Sequence, residues 1–347
     1  MSRVYLDYNA TAPLRLEARH AMLEALDLLG NPSSVHAEGR AAKALLERAR
    51  QQLANAFGAS GCDLVFTGSA TEAASLACAG RRLHGASIEH DAVRAWISED
   101  LDVTAQGKVH VSNPGMSVLQ MANSETGVLQ TLPDGLALSD MSQAFGKVAM
   151  AFNWSGAQMG LASAHKLGGP KGVGVLILRQ GTDVEVQIKG GGQEMGRRSG
   201  TENLVGIAGF AAAAQAAIHD IERGVWARVA KLRNILEKAI EASTMHTKLV
   251  GEGQDRLPNT SCFVTPGWSG ATQVMQMDLA GFAISAGSAC SSGKVKSSSV
   301  LAAMGFDGEA AGSAIRVSLG PETTEDEVLR FADAWCSAER KFRAKAA

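Results

Sequence analysis

The sequence has little that would direct the chain to a polyanion or a bilayer. Its formal charge is −2, with 33 Lys and Arg against 35 Asp and Glu. It therefore has no global attraction to nucleic acid or anionic membrane, and its partners must be sought in local sites. The start, Met1-Ser2-Arg3-Val4-Tyr5-Leu6-Asp7, has no signal-peptide apolar region, and no run approaches the roughly 18 to 20 apolar residues of a membrane span. The expected location is the cytoplasm, with neither nucleic acid nor membrane as a partner. The five cysteines, at 62, 78, 262, 290 and 336, are odd in number and show neither C-x-x-C spacing nor nearby His pairs. That pattern does not make a zinc site, so no metal is expected, and in a reducing compartment the cysteines are thiols. Internal repeats and low-complexity tracts are also absent.

What is there is an ordinary globular composition, 46% apolar and 20% charged. At 347 residues the chain exceeds the size at which one core stops growing, which favours two lobes. From Glu38 to Phe57, apolar residues at Ala42, Leu45, Leu46, Ala49, Leu53 and Phe57 recur at helical spacing. Leu64 to Phe66, Thr67 to Glu72 and Ala73 to Ala79 read as strand, tight turn and helix. Further apolar runs at Ser117 to Met121 and Val173 to Leu178 favour an α/β lobe with a mostly parallel sheet. Val225, Val229, Leu232, Leu236 and Ala239 step by three and four, as in a long helix joining two lobes. Beyond them Asn259 to Val264, Phe282 to Ser285 and Ala314 to Leu319 read as strands and Glu325 to Arg343 as a closing helix, a smaller α+β lobe. The Gly-, Ser- and Lys-rich stretch Ser285 to Ser299 reads as a loop.

Several stretches carry candidate chemistry. Lys166 stands at the edge of a glycine-rich turn, Ser163 to Gly174. A desolvated lysine there could form a Schiff base with a cofactor aldehyde, although most lysines solvate a surface. The turn Thr67 to Glu72 offers N–H groups, hydroxyls and a helix start to a phosphate, or is simply a capped helix; it is not a Walker loop. Asp140 could hold a pyridinium N–H or cap a helix. His90 could stack on a flat cofactor or shuttle protons, or be a surface residue. Arg316, inside an apolar strand, needs an anion, which could be a substrate carboxylate or an internal ion pair. The glycine-rich loop Gly190 to Thr201 could approach a phosphate or another subunit. Cys290, in a polar loop with cations nearby, is placed to react, whereas Cys62, Cys78, Cys262 and Cys336 fall beside apolar or helical runs.

In this order the segments resemble the cysteine desulfurases of the class V aminotransferase group of pyridoxal-phosphate enzymes. The likeness runs from Tyr5 to Pro13 through Gly30 to Ser34, Gly68 to Glu72, Glu89-His90, Ser163 to Gly172, Arg198 to Thr201 and Ser288 to Ser291 to Arg316 to Leu319. It implies fold type I, with a seven-stranded-type, mostly parallel sheet in the large lobe, residues 14–222. Residues 1–13 and 223–347 would form the small lobe. It implies that Lys166 carries pyridoxal 5'-phosphate, His90 stacks on the ring, Asp140 pairs with the ring nitrogen and Gln143 bonds the ring oxygen. Ala70, Thr71, Ser163 and His165 would hold the phosphate, with Thr201 reaching in from the partner of a homodimer. Arg316, with Asn31, Asn123 and Ser124, would bind the L-cysteine substrate. Cys290 would take its sulfur as a persulfide, leaving alanine, for a sulfur-acceptor protein, as in iron–sulfur cluster assembly.

The chain departs from the family pattern at Ser124, where a second asparagine is usual, at Ser75, also usually asparagine, and at Gln193, usually histidine. The segments between His90 and Ser124 and between Ser124 and Asp140 are shorter than usual, so helices on one face of the large lobe are expected to be missing. The sequence also ends without the tail that housekeeping members use near their scaffold partner, which leaves the acceptor open. Two alternatives stand beside the desulfurase reading. One is another class V reaction, a selenocysteine or cysteine-conjugate lyase or an aminotransferase. The other is a non-catalytic paralogue that binds cofactor or a partner protein.

Overall fold

A computed structural model describes residues 3 to 287 and 297 to 346. Its central sheet places Asp63–Thr67, Gly174–Leu178, Ala157–Ser163 and Leu136–Asp140 side by side. Residues 117 to 121 continue it: Leu119 N donates to Leu138 O at 3.1 Å and Met121 N to Asp140 O at 2.8 Å, while Val118 N donates to His84 O at 2.8 Å. Leu83–Gly85 and Ile97–Glu99 complete the edge, so seven segments lie in one sheet. All pairings are parallel except those of Gly174–Leu178, which is antiparallel to both neighbours.

Side-chain alternation divides this sheet between two cores. Leu64, Phe66, Val175 and Ile177 face the helices Leu16–Leu26, Ala37–Ala56 and Leu204–Glu222, whereas Val65, Leu176 and Leu178 face Ala70–Cys78. With both faces covered, Gly174–Leu178 is buried at every position and is an unbroken apolar run. The expected helix from Glu38 to Phe57 is found at Ala37–Ala56. Leu204–Glu222 is long and apolar enough, with a mean hydropathy of 1.4, to meet the length and composition of a membrane span, contrary to the expectation that no run came close. Here it is a core helix, with Ile207, Phe210, Ala211, Ala213, Ala214 and Ala217 in the large-lobe core.

The long helix expected through Val225 to Ala239 is found at Val225–Glu241, following a separate helix, Leu204–Glu222. They break at Gly224, whose φ of 72° is left-handed backbone that glycine adopts without strain. The second core gathers Trp226, Val229, Leu232, Leu236, Phe263, Ile315, Val317, Phe331 and Trp335, together with Val4 and Leu6 from the start of the chain. Its antiparallel sheet runs Ser285–Ala286, Ala314–Ser318, Thr260–Val264, Lys248–Leu249. The expected single strand Phe282 to Ser285 is divided at Ile284, because Phe282–Ala283 pairs in parallel with Val4–Tyr5 instead. Between Arg94 and Leu136 no α-helix occurs among the described residues.

Candidate active site

A cavity of about 420 Å³ opens at the ends of the central strands, where open α/β sheets bind their ligands. Local sequence brings each group there. Asp140 ends one strand, Ser163 ends the next, and a single 3₁₀ turn, Ala164–Lys166, then delivers His165 and Lys166. On the far side, Ser69 caps the helix Ala70–Cys78. Its Oγ accepts from Glu72 N at 3.1 Å, and Glu72 Oε2 accepts from Gly68 N at 2.7 Å. Gly174 allows this turn to lie against the neighbouring strand, since a Cβ there would sit 2.5 Å from the Ser69 carbonyl carbon.

Ala70, Thr71, His90, Ser124, Asp140, Gln143, Ser163, His165, Lys166 and Arg316 therefore line one cavity. Lys166 Nζ donates to Asn9 O at 2.9 Å and Ala10 O at 3.0 Å. His165 is pushed down to about 4 by burial and by Lys166, Lys171 and His90, which keeps the ring neutral near pH 7. Its Nδ1 lies 3.1 Å from Thr11 Oγ1. Asp140 Oδ1 accepts from Ser142 N at 2.9 Å, so the carboxylate shapes its own turn. His90 Nδ1 likewise accepts from Ala92 N at 3.1 Å.

Arg316 has the internal partner that the sequence left open: Nη2 donates to Asp7 Oδ1 at 2.8 Å and Nη1 to Ser124 O at 3.1 Å. Its buried Nε has no hydrogen-bond partner among the described residues. Beside it are two buried carboxyls. Desolvation raises Glu89 to about 8, against the lowering effect of the hydrogen bond from Gln120 N, and Asp140 raises it further. Desolvation raises Glu125 to about 7, opposed by Ser298 and Arg316. Glu89 Oε2 and Glu125 Oε1 are also without partners among the described residues.

Asn31, Asn123 and Thr201 are not brought to this cavity. Asn31 is exposed and accepts from Ser33 N. Asn123 is buried, and its Oδ1 accepts from the Glu125 and Thr126 amides while Nδ2 donates to Ile88 O, so the side chain organises a turn. Thr201 is exposed on its loop, which Arg198 to Glu72 and Arg50 to Glu194 ion pairs fasten to the large lobe. Cys290 lies outside the described residues. The other four cysteines have their thiols pushed up by burial, Cys78 to about 12, which keeps them protonated.

Sequence reasoning missed Asn9, Lys147 and Ser142. Asn9 joins both lobes. Its Oδ1 accepts from Lys147 Nζ at 3.0 Å and Asn259 Nδ2 at 3.1 Å, and its Nδ2 donates to Thr260 Oγ1 at 2.8 Å. Lys147 stands four residues after Gln143, a spacing that puts side chains on one face of a helical turn. That spacing was the signal available for it.

The cavity fits pyridoxal phosphate. Its volume suits a small cofactor. It has a carboxylate in Asp140, an amine in Lys166 and, at the helix start, small residues, hydroxyls and a neutral histidine of the kind that receive a phosphate. The Ser142 hydroxyl on its wall is buried with no partner among the described residues, which leaves it available to a bound group.

Comparison with known proteins agrees. Residues 4–95 and 112–331 match the aminotransferase class-V family, whose cofactor is pyridoxal phosphate. A cysteine desulfurase of Cereibacter sphaeroides is 36% identical over 95% of this chain and 94% of that protein. The cysteine desulfurase NifS of Azotobacter vinelandii is 34% identical over 95% and 91%. A NifS-like protein from Rickettsia africae superposes with a TM-score of 0.87 at 30% identity, over 96% of this chain and 98% of that one. With a family model over most of its length and relatives above 30% identity across it, this chain belongs to the cysteine desulfurases of the class-V aminotransferase family.

Proposed function

We propose that the chain takes sulfur from L-cysteine and holds it as a persulfide on Cys290, releasing L-alanine. The observation that carries this reading is the convergence of Lys166, Asp140, Gln143, His90 and Arg316 on one cavity whose lining includes Ser285, five residues before Cys290 in the sequence. Bound pyridoxal phosphate supplies an electron-withdrawing ring that accepts electrons from the substrate carbon. Lys166 holds that group and moves the proton at the substrate Cα. Asp140 keeps the ring nitrogen protonated, and Thr71, Ser163 and His165, with the amide at Ala70, receive the phosphate. Arg316, already oriented by Asp7, offers its Nε to the substrate carboxylate. Ser124 stands beside it on the wall, while Asn31 and Asn123 are better read as structural. The Cys290 thiolate attacks the substrate sulfur, forming the S–S bond as the Cβ–S bond breaks. The electron pair stays with the carbon, which is then protonated to alanine. Four thiols locked in the protonated state by burial leave Cys290 as the nucleophile this chemistry needs.

The rest of the reading concerns assembly. We take residues 14–222 as the cofactor lobe and 1–13 with 223–347 as the second, supported by the core that joins Val4 and Leu6 to Trp226 and Phe331. A homodimer is supported by the exposed apolar residues Leu14, Leu16, Leu23, Leu26, Leu29 and Val35. In it the exposed Thr201 would serve the partner's cavity. We place the protein in the cytoplasm, handing sulfur to an acceptor protein there. The test adds L-cysteine to purified holoenzyme and follows alanine and persulfide. Wild type makes both, and Cys290→Ala keeps the yellow colour but loses persulfide and sulfide at least 100-fold, roughly the scale of losing a nucleophile. Unchanged sulfide release by that variant overturns the proposal.

A further inference from the structure

Lys147 is buried, with 4% of its surface exposed, and nothing in the reaction above uses it. Burying an ammonium is costly unless it is paired or neutralised. Desolvation, with Lys166 and Arg316 nearby, pushes its pKa well below the usual lysine range. The position must therefore return something for that cost. Lys147 Nζ donates to Gln143 Oε1 at 2.6 Å and to Asn9 Oδ1 at 3.0 Å. Gln143 Nε2 in turn donates to Asn9 O at 2.9 Å, the same carbonyl that accepts from Lys166 Nζ at 2.9 Å.

We propose that Lys147 is a positioning residue that fixes the Gln143 amide so that it shows an N–H, and not its carbonyl, to the cofactor cavity. An ammonium has three donors and no acceptor, and even as an amine the group has two donors for its two oxygen partners. The end of the amide facing a charged Lys147 must then be oxygen, and facing the neutral amine, which also has one lone pair, it is oxygen because its other end meets the Asn9 carbonyl. The end facing the Asn9 carbonyl, an acceptor, must be nitrogen. The nitrogen keeps one hydrogen beyond its bond to Asn9, and Gln143 lines the cavity. Freed of Lys147, the amide leaves a buried oxygen unsatisfied and can turn, placing a carbonyl against any ligand oxygen. One carbonyl, that of Asn9, couples this setting to the cofactor lysine.

The inference rests on reading the cavity as the pyridoxal-phosphate site, so its test begins without cofactor. In ligand-free protein labelled with ¹⁵N-glutamine, the Gln143 NH₂ pair, assigned by its loss in Gln143→Leu, exchanges slowly with solvent. Lys147→Met, an apolar side chain of similar length, speeds that exchange at least about tenfold, whereas unchanged exchange overturns the proposal. In the presence of pyridoxal phosphate, Lys147→Met weakens binding about five- to tenfold and shifts the visible absorption band. Gln143→Leu does the same, and the double variant is within about twofold of Gln143→Leu alone. Additive losses overturn the proposal. Gln143→Glu keeps a partner for Lys147 but can only accept towards the cavity, so it decides the matter if Lys147→Met does not fold. It binds cofactor at least about tenfold more weakly, and wild-type affinity in this variant overturns the proposal. A wild-type protein that takes up no pyridoxal phosphate would refute the functional reading instead, leaving the exchange measurement to judge Lys147.

Discussion

The floor and the wall of the cavity are built on opposite principles. On the floor, Lys166, Gln143, Lys147 and Asn9 satisfy one another through bonds of 2.6 to 3.0 Å. The wall that Arg316 shares with an adjoining cleft has Glu89 and Glu125 on the cleft's side, and each of the three is buried yet carries a polar atom without a partner among the described residues. A saturated network keeps its geometry when nothing is bound, which is what a cofactor that must be held in one orientation requires. An unsaturated wall retains charged groups whose protonation depends on pH and on what enters. Rigidity and responsiveness are thus divided between two surfaces a few residues apart.

The largest loss expected from breaking this contrast is on the floor. Asp140→Ala leaves a ring nitrogen without its carboxylate, a loss on the order of 3–5 kcal/mol, or roughly two to four powers of ten in cofactor affinity measured by fluorescence titration. Unaltered affinity would mean that another group holds the nitrogen. On the wall, the raised Glu89 value makes a statement about stability. The folded protein binds a proton there that the unfolded chain releases near pH 4.5, so stability falls as pH rises from that value through about 8. Glu89→Gln removes this slope. It should match wild type near pH 4.5 and exceed it above pH 8 by on the order of 5 kcal/mol in denaturant unfolding. A constant difference across that range contradicts a protonated Glu89. The smallest effect belongs to Ser124→Asn. The backbone oxygen of Ser124 already holds Asn9 and Arg316, so restoring the family's usual side chain changes KM for L-cysteine by no more than about threefold. A shift beyond tenfold would make the side chain itself part of substrate binding.

The sequence was most readable where chemistry and local structure coincide. Ser163, His165 and Lys166 follow one another at a strand end, and Ser69 to Glu72 cap a helix start, so short stretches disclosed both the elements and the residues that line one cavity. Three of the seven sheet segments, at 64 to 66, 117 to 121 and 173 to 178, were visible as apolar runs for the same reason, since strands buried on both faces carry their signal locally, whereas the full count came from the family resemblance. Asn9 was illegible because its partners lie 115 to 309 residues away, and only the closed fold brings them together. Arg316 was half legible. An arginine in an apolar strand announces a need for an anion, but nothing near it in sequence names Asp7. Gly224 shows the converse case, in which the three-and-four stepping of Val225 to Ala239 was correct and the break before it went unread.

The pairing of Val4–Tyr5 with Phe282–Ala283 sets an order in time as well as in space. Val4–Tyr5 pairs with a strand made much later in the chain, and Asn9 waits 309 residues for Ser318. At about 5 to 20 residues per second, the interval is roughly 15 to 60 s. The helices and strands of the large lobe can collapse in that interval, but the carbonyl that receives Lys166 and Gln143 is anchored only at the end. The Asn9 carbonyl therefore takes its final place only once the chain through Ser318 is available.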